Sequence, residues 1–203
     1  MENKDLENEI INVARETFIQ NGYTDASMSD IAARLGINRP TLHYYFRTKD
    51  KLFNAVFGDI IKESIELIKN ILRSDLPFLE RLDKIIDCYY AHFIKNPDLP
   101  IFFLKEIHRN PIGFIKEIKQ PEVAQLLMEM MALYNNEIKE HKINDISFDL
   151  TLPSFYMLLI TPFIGQRLME TPVFNDTFNM ENYLKRWKEY MLEHYSLMLG
   201  IKE

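Results

Sequence analysis

The residues best equipped for chemistry on a charged partner lie between Ser27 and Lys51. Arg39 can donate two parallel hydrogen bonds to guanine O6 and N7, Thr41 can meet a base edge or a thymine methyl, and Pro40 offers that methyl an apolar surface. His43, Tyr44 and Tyr45 follow on the same short segment. His43 is open between a nucleic-acid contact and a solvated helix position. Tyr45, Lys49 and the capping region of Ser27 and Ser29 suit phosphate oxygens, through hydroxyls, an ammonium and the amides of a helix N-terminus. Arg34, Arg39, Arg47, Lys49 and Lys51 stand against only Asp30 and Asp50 in residues 27–51, a local net charge of +3. The whole chain has 24 Lys+Arg against 30 Asp+Glu and a net charge of -6. A basic island on an acidic protein is a candidate polyanion contact.

Short elements must hold these side chains. Ser27 with Asp30 three residues on has the spacing of a capping box, Ile31, Ala32 and Leu35 share one helical face, and Gly36 supplies a stop. Asn38 can cap the next helix, and Pro40 is tolerated in a first turn whose amides have no partner within the helix. The pattern predicts helix, turn, helix over Ser27–Phe46, the shape that lays a second helix in the major groove of double-stranded DNA. Leu6, Ile10, Val13, Ala14 and Phe18 give a preceding amphipathic helix stopped at Asn21-Gly22. Thr48 caps a long helix whose apolar period runs from Leu52 to Leu72.

Residues 18–23 and 31–52 also resemble the tetracycline-repressor (TetR) family of bacterial regulators. The likeness is carried by Phe18 to Gly22-Tyr23, by Ile31-Ala32 to Leu35-Gly36-Ile37, and by Thr41-Leu42-His43-Tyr44-Tyr45-Phe46-Arg47-Thr48-Lys49-Asp50-Lys51-Leu52. His43 stands where that family usually has tyrosine, and Ser27 where threonine is usual. The resemblance covers about the first 55 residues. It implies a dimer with a variable C-terminal ligand domain; a two-fold homodimer places two recognition helices in successive major grooves, so a palindromic operator is expected.

The expected architecture is all-α. A three-helix DNA-binding domain over 1-50 is joined by the long helix to a helical ligand-binding and dimerisation domain over 51-203. Beyond Pro77 the prolines mark helices to about Lys95, over about Leu99–Arg109, from Pro121 to about His141, over Phe148–Met169 and over Met180–Leu199, with a kink expected at Pro162. Eight of the ten methionines fall at or after Met128. Tyr89, Tyr90, Phe93, Phe102, Phe103, Met128, Met131, Tyr134, Phe155, Tyr156 and Leu159 are candidate linings for an apolar effector, because they lie on the central helices of that domain. Tyrosine hydroxyls are the chief polar groups among them, so a strongly charged ligand is expected to lack a partner. Thr161 and Gly165 allow close backbone approach, and Trp187, Met191, His194 and Met198 form a stripe; together they are the candidate dimer face.

Composition excludes several classes. Cys88 alone cannot form an intramolecular disulfide, and no Cys/His cluster has zinc-ligand spacing, so neither a metal nor a cofactor is expected. Cys88 reads as a core thiol, with a redox sensor as the alternative. No nucleophile with a base at motif spacing, no HExxH and no phosphate loop argue for an enzyme. The acidic start lacks an apolar signal core and no run of 18 apolar residues occurs, so the expectation is a cytoplasmic protein without a membrane partner. A helical interaction module and a DNA-binding dimer blind to ligand are the alternatives to a ligand-responsive repressor.

Overall fold

The computed structural model describes residues 2–173 and 178–201. Among them are ten helices and no strand: α1 (Glu2–Asp25), α2 (Met28–Leu35), α3 (Arg39–Tyr45), α4 (Lys49–Leu72), α5 (Phe78–Lys95), α6 (Leu99–Arg109), α7 (Pro111–Ile118), α8 (Pro121–Lys139), α9 (Phe148–Met169) and α10 (Met180–Leu199). The expected helices all form. α7 is additional, opened by Asn110, whose Oδ1 accepts from the Gly113 amide at 3.0 Å. Asn-Pro at a helix start is a cap-and-first-turn signature, and Pro111-Gly113 reads as a break only when that cap is overlooked.

Packing divides the chain into two compact units, one of residues 1–63 with 102–119, the other of residues 64–101 with 120–203. The division falls inside α4 and α6 rather than at residue 50, where the sequence pattern placed the domain boundary. The first half of α4 belongs to the first core: Leu52, Phe53, Val56, Phe57 and Ile60 are buried there with Ile10, Ala14 and Phe18 of α1, Ile31 of α2 and Leu42 of α3. Phe53 makes the aromatic centre, with ring centroids 5.0 Å from Phe18, 5.1 Å from Tyr23 and 6.0 Å from Phe102.

Local chemistry sets the turns of this unit. Ser27 accepts from the Asp30 amide at 3.0 Å and caps α2. Gly36 ends that helix at φ 69°, a left-handed conformation that any Cβ would strain. Gly22, at φ 73°, breaks the helical course of α1 in the same way, where the sequence predicts the stop.

The second unit is built from α5, α8, α9 and α10 with the last part of α4. Ile68, Leu72, Ile85 and Leu126 form one buried cluster, and Tyr134, Ile143, Tyr195 and Leu199 another. Lys188 on α10 ties to α5 through Asp83 at 2.7 Å and Asp87 at 2.6 Å. By length and composition alone α9 is apolar enough to cross a membrane, a possibility the absence of an 18-residue apolar run does not remove. Within this unit it is a packed helix, with Thr151, Leu159, Ile160, Pro162 and Phe163 buried, and its helical course continues past Pro162.

Candidate functional site

Recognition chemistry gathers on α3. Asn38 caps it, its Oδ1 accepting from the Thr41 amide and the Thr41 hydroxyl, both at 2.8 Å. That leaves the Thr41 methyl and hydroxyl lone pairs at the helix start. Arg39 Nε donates to His43 Nε2 at 3.2 Å, one turn along, and His43 Nδ1 lies 3.2 Å from the Arg47 carbonyl. The two contacts are mutually satisfied by the neutral tautomer protonated at Nδ1, which accepts from Arg39 and donates to Arg47. His43 thus orients the Arg39 guanidinium within the helix surface. Leu42 is fully buried and anchors the opposite face, while Arg39 and Pro40 are exposed and Tyr44 is 77% exposed. Tyr45 packs edge-on against Tyr44 at 5.4 Å.

Ser29 is exposed at the start of α2, and the Ser27 hydroxyl is committed to capping. Lys49 is held in place: its ammonium donates to the Thr24 carbonyl at 3.1 Å and lies 4.5 Å from the Tyr23 ring centroid. Tyr23 donates to Asp50 at 2.5 Å. That hydrogen bond, followed by burial, raises its pKa above the ordinary value. Arg34 pairs with Glu16 at 2.6 Å, so this cation of the basic window braces α2 against α1.

A second feature is a cavity of about 120 Å³ in the second unit, almost wholly apolar in its lining. Of the sequence candidates Tyr89, Tyr134, Phe155, Tyr156 and Leu159 line it. Six do not. Tyr90 and Phe93 are buried against Phe163 at 5.7 and 5.2 Å, and Phe102 and Phe103 pack on Phe57 in the first unit at 5.9 and 5.6 Å. Met128 and Met131 point outward, 70% and 49% exposed. Periodicity gives a helix its apolar face but not the partner that face meets, so residues on two faces of one helix were grouped together.

Two of the tyrosine hydroxyls around the cavity are held in short hydrogen bonds. Tyr134 donates to the Ile146 carbonyl at 2.8 Å and lies 3.0 Å from the Thr151 hydroxyl, while Tyr195 lies 2.8 Å from the Ser154 hydroxyl. Burial pushes the Tyr89 hydroxyl up to about 12, and burial likewise raises Tyr156. They are neutral at physiological pH. The polar group of the lining is instead Arg81, with a buried Nε that no acceptor reaches among the described residues. Arg81 is thus a cation at the cavity that the sequence expectation of an uncharged lining did not include. Phe78, Leu82, Ile85 and Phe148 are further lining residues that the sequence did not single out.

The outer face of α9 is apolar and unpacked: Leu150, Met157, Ile164 and Leu168 are 66%, 47%, 38% and 57% exposed, and their spacing keeps them in line with Thr161, also exposed. On α10 Tyr190 and Leu197, seven residues apart, are 51% and 75% exposed. Of the dimer candidates, Thr161 and His194 are exposed, whereas Gly165, Trp187 and Met198 are half-buried. No heavy atom stands within 4 Å of where a Gly165 Cβ would be. Trp187 is fixed by its indole N–H, which donates to the Leu158 carbonyl at 2.9 Å. Met191 does not belong on this face. It is fully buried, its sulfur accepting from the Tyr90 hydroxyl at 3.6 Å. Its i+4 step from Trp187 lies on the inner edge of the helix.

Residues 10–56 match the model of bacterial regulatory proteins, tetR family. These residues carry the DNA-binding domain of the TetR family. It is similar to an HTH-type transcriptional regulator of Bacillus subtilis, YhgD, at 24% identity over 149 residues, 73% of this chain and 76% of that one. Among solved structures it is similar to the fatty acid degradation regulator FadR of Bacillus halodurans, with a TM-score of 0.69, 17% identity and coverage of 92% and 94% of the two chains. It is also similar to FadR of Bacillus subtilis in complex with stearoyl-CoA, with a TM-score of 0.62, 15% identity and coverage of 91% and 96%. At these identities the structural likeness speaks for the fold. With that domain, and with transcriptional regulators as its relatives, the chain is a DNA-binding transcriptional regulator and not an enzyme. The family match contains α2, α3 and the start of α4, the elements that carry Arg39, Thr41, His43 and Lys49.

Proposed function

We propose that this TetR-family regulator is a cytoplasmic repressor that binds a palindromic operator as a homodimer and releases it when a small lipophilic effector fills the cavity of the second unit. The observation that carries this reading is the course of α4. Its Leu52, Phe53, Val56 and Phe57 are core residues of the DNA-binding unit, and its Ile68 and Leu72 line the cavity. An effector that displaces Ile68 and Leu72 acts on the helix that anchors α3. It can change operator affinity only by its differential affinity for two conformations, typically about 1–3 kcal/mol. FadR of Bacillus subtilis, of the same fold, is solved with stearoyl-CoA, which supports a lipophilic effector.

In this reading Arg39, Pro40, Thr41 and Tyr44 read or touch bases, His43 positions Arg39, and Ser29, Tyr45 and Lys49 meet phosphates, with Ser27 presenting the α2 amides. Two recognition helices roughly 34–36 Å apart, or a multiple of that, match mirrored half-sites. The test is a salt series of binding isotherms on operator and random duplexes. Arg39→Ala is expected to cost about 1–3 kcal/mol on operator and little on random DNA, whereas Lys49→Ala weakens both alike and makes the salt slope shallower by about one phosphate per subunit. Equal losses for Arg39→Ala on both duplexes would remove it as a base reader.

A further inference from the structure

Arg81 is out of place for a purely apolar site. It stands in the first turn of α5, where the helix dipole is positive and a cation is disfavoured. Its Nε is buried and finds no acceptor among the described residues, and the side chain lines a cavity whose surface is otherwise almost wholly apolar. A buried guanidinium N–H without an acceptor is costly, and natural structures retain such groups where something else satisfies them.

The surroundings of Arg81 say what that is. Arg81 and Phe78 line both the apolar cavity and an adjoining, more polar opening of about 570 Å³ at the start of α5. Pro77 precedes α5 and gives it no side-chain cap, and Pro77, Phe78 and Leu79 at the start of that helix line the opening. The opening carries Lys142 and His141 as well as the acids Asp75 and Glu137. Lys142 pairs with Glu140 at 2.6 Å, whereas none of these acids makes an ion pair with Arg81. An apolar pocket that ends at one unpaired guanidinium is the negative image of a single-chain amphiphile with an anionic head.

Resting on the effector reading above, we infer that the effector is a linear acyl compound whose tail fills the cavity and whose anionic head, a carboxylate or the phosphates of an acyl carrier, is bound by Arg81. A charge-assisted bond to a partly buried guanidinium separates an anion from its neutral analogue by roughly 10- to 100-fold.

The experiment compares decanoate, decanol and decanoyl-coenzyme A against the full-length protein and its Arg81→Met variant, by calorimetry and by thermal shift. Decanoate or the thioester is expected to bind wild-type protein at least about tenfold more tightly than decanol, and Arg81→Met is expected to erase that difference while decanol binding persists or strengthens. Persistence of decanol binding also shows that the variant is folded. Preference for the thioester over decanoate, lost in the variant, assigns Arg81 to carrier phosphates; preference for decanoate assigns it to the carboxylate. Equal binding of decanol and the anions by wild-type protein, or an anion preference that survives Arg81→Met, overturns the inference and leaves the lipophilic effector standing. No binding of any of the three overturns the effector reading itself.

Discussion

Alanine at Phe53 is expected to destabilise the DNA-binding unit by about 3–5 kcal/mol, the range for removing a buried aromatic side chain. Phe53 is 4% exposed, and its ring is contacted by Phe18 and Tyr23 of α1, Phe57 of α4 and Phe102 of α6. Its edge-to-face pairs with Phe18 and Tyr23 add to the burial, since such geometry is worth about 0.5–1.5 kcal/mol per pair beyond the area removed from water. The Arg109 guanidinium lies 5.2 Å from its ring and 3.8 Å from that of Tyr23, a cation stacked on the same aromatic group. Three helices, α1, α4 and α6, thus lose a shared contact at once. Urea unfolding followed by circular dichroism measures the loss, and operator binding at 37 °C is expected to fall with it. Phe53→Leu retains most of the apolar volume and should cost less than half as much. A loss below about 1 kcal/mol for Phe53→Ala would mean that the unit closes around the gap, contrary to the close packing of protein interiors.

Aspartates at Ile164 and Leu168 together are expected to convert the proposed homodimer into a monomer and to weaken operator binding by roughly 10²- to 10⁴-fold, the gain that linking two binding modules supplies. Both side chains lie on the exposed stripe of α9 and neither belongs to the buried core. A run of apolar side chains from Leu150 to Leu168, with Tyr190 and Leu197 on α10, is what a self-complementary interface core requires, and charge is depleted at such cores. One carboxylate per subunit at each position places like charges on both sides of a two-fold interface, with desolvation added. Light scattering at micromolar concentration reads the oligomeric state, and binding isotherms on a full operator and a half-site read the affinity. The half-site affinity should stay near that of the wild-type subunit. A double variant that remains dimeric with full operator affinity would move the interface elsewhere.

The sequence by itself determined the local events of this protein. Ser27 and Asn38 find their amides within three residues and Gly36 needs only its own backbone freedom, so helix ends and the helix-turn-helix follow from short-range chemistry. The acid-poor window that contains Arg39 and Lys49 is equally local, and it marked the DNA-binding segment before any fold was known. The tertiary structure decided which faces meet. Phe102 and Phe103 are as apolar as Phe155, yet they pack on Phe57 in the first unit while Phe155 lines the cavity of the second. Met191 follows Trp187 by one turn, yet it faces Tyr90 in the core. Arg81 lies in an ordinary charged and apolar pattern on α5, and only the tertiary structure sets it at a cavity lined by α4, α8, α9 and α10 with its Nε buried and without an acceptor among the described residues. Helical periodicity fixes the angle of a side chain around its own axis; the partner that fills the space opposite comes from segments tens of residues away, and that choice is made by packing.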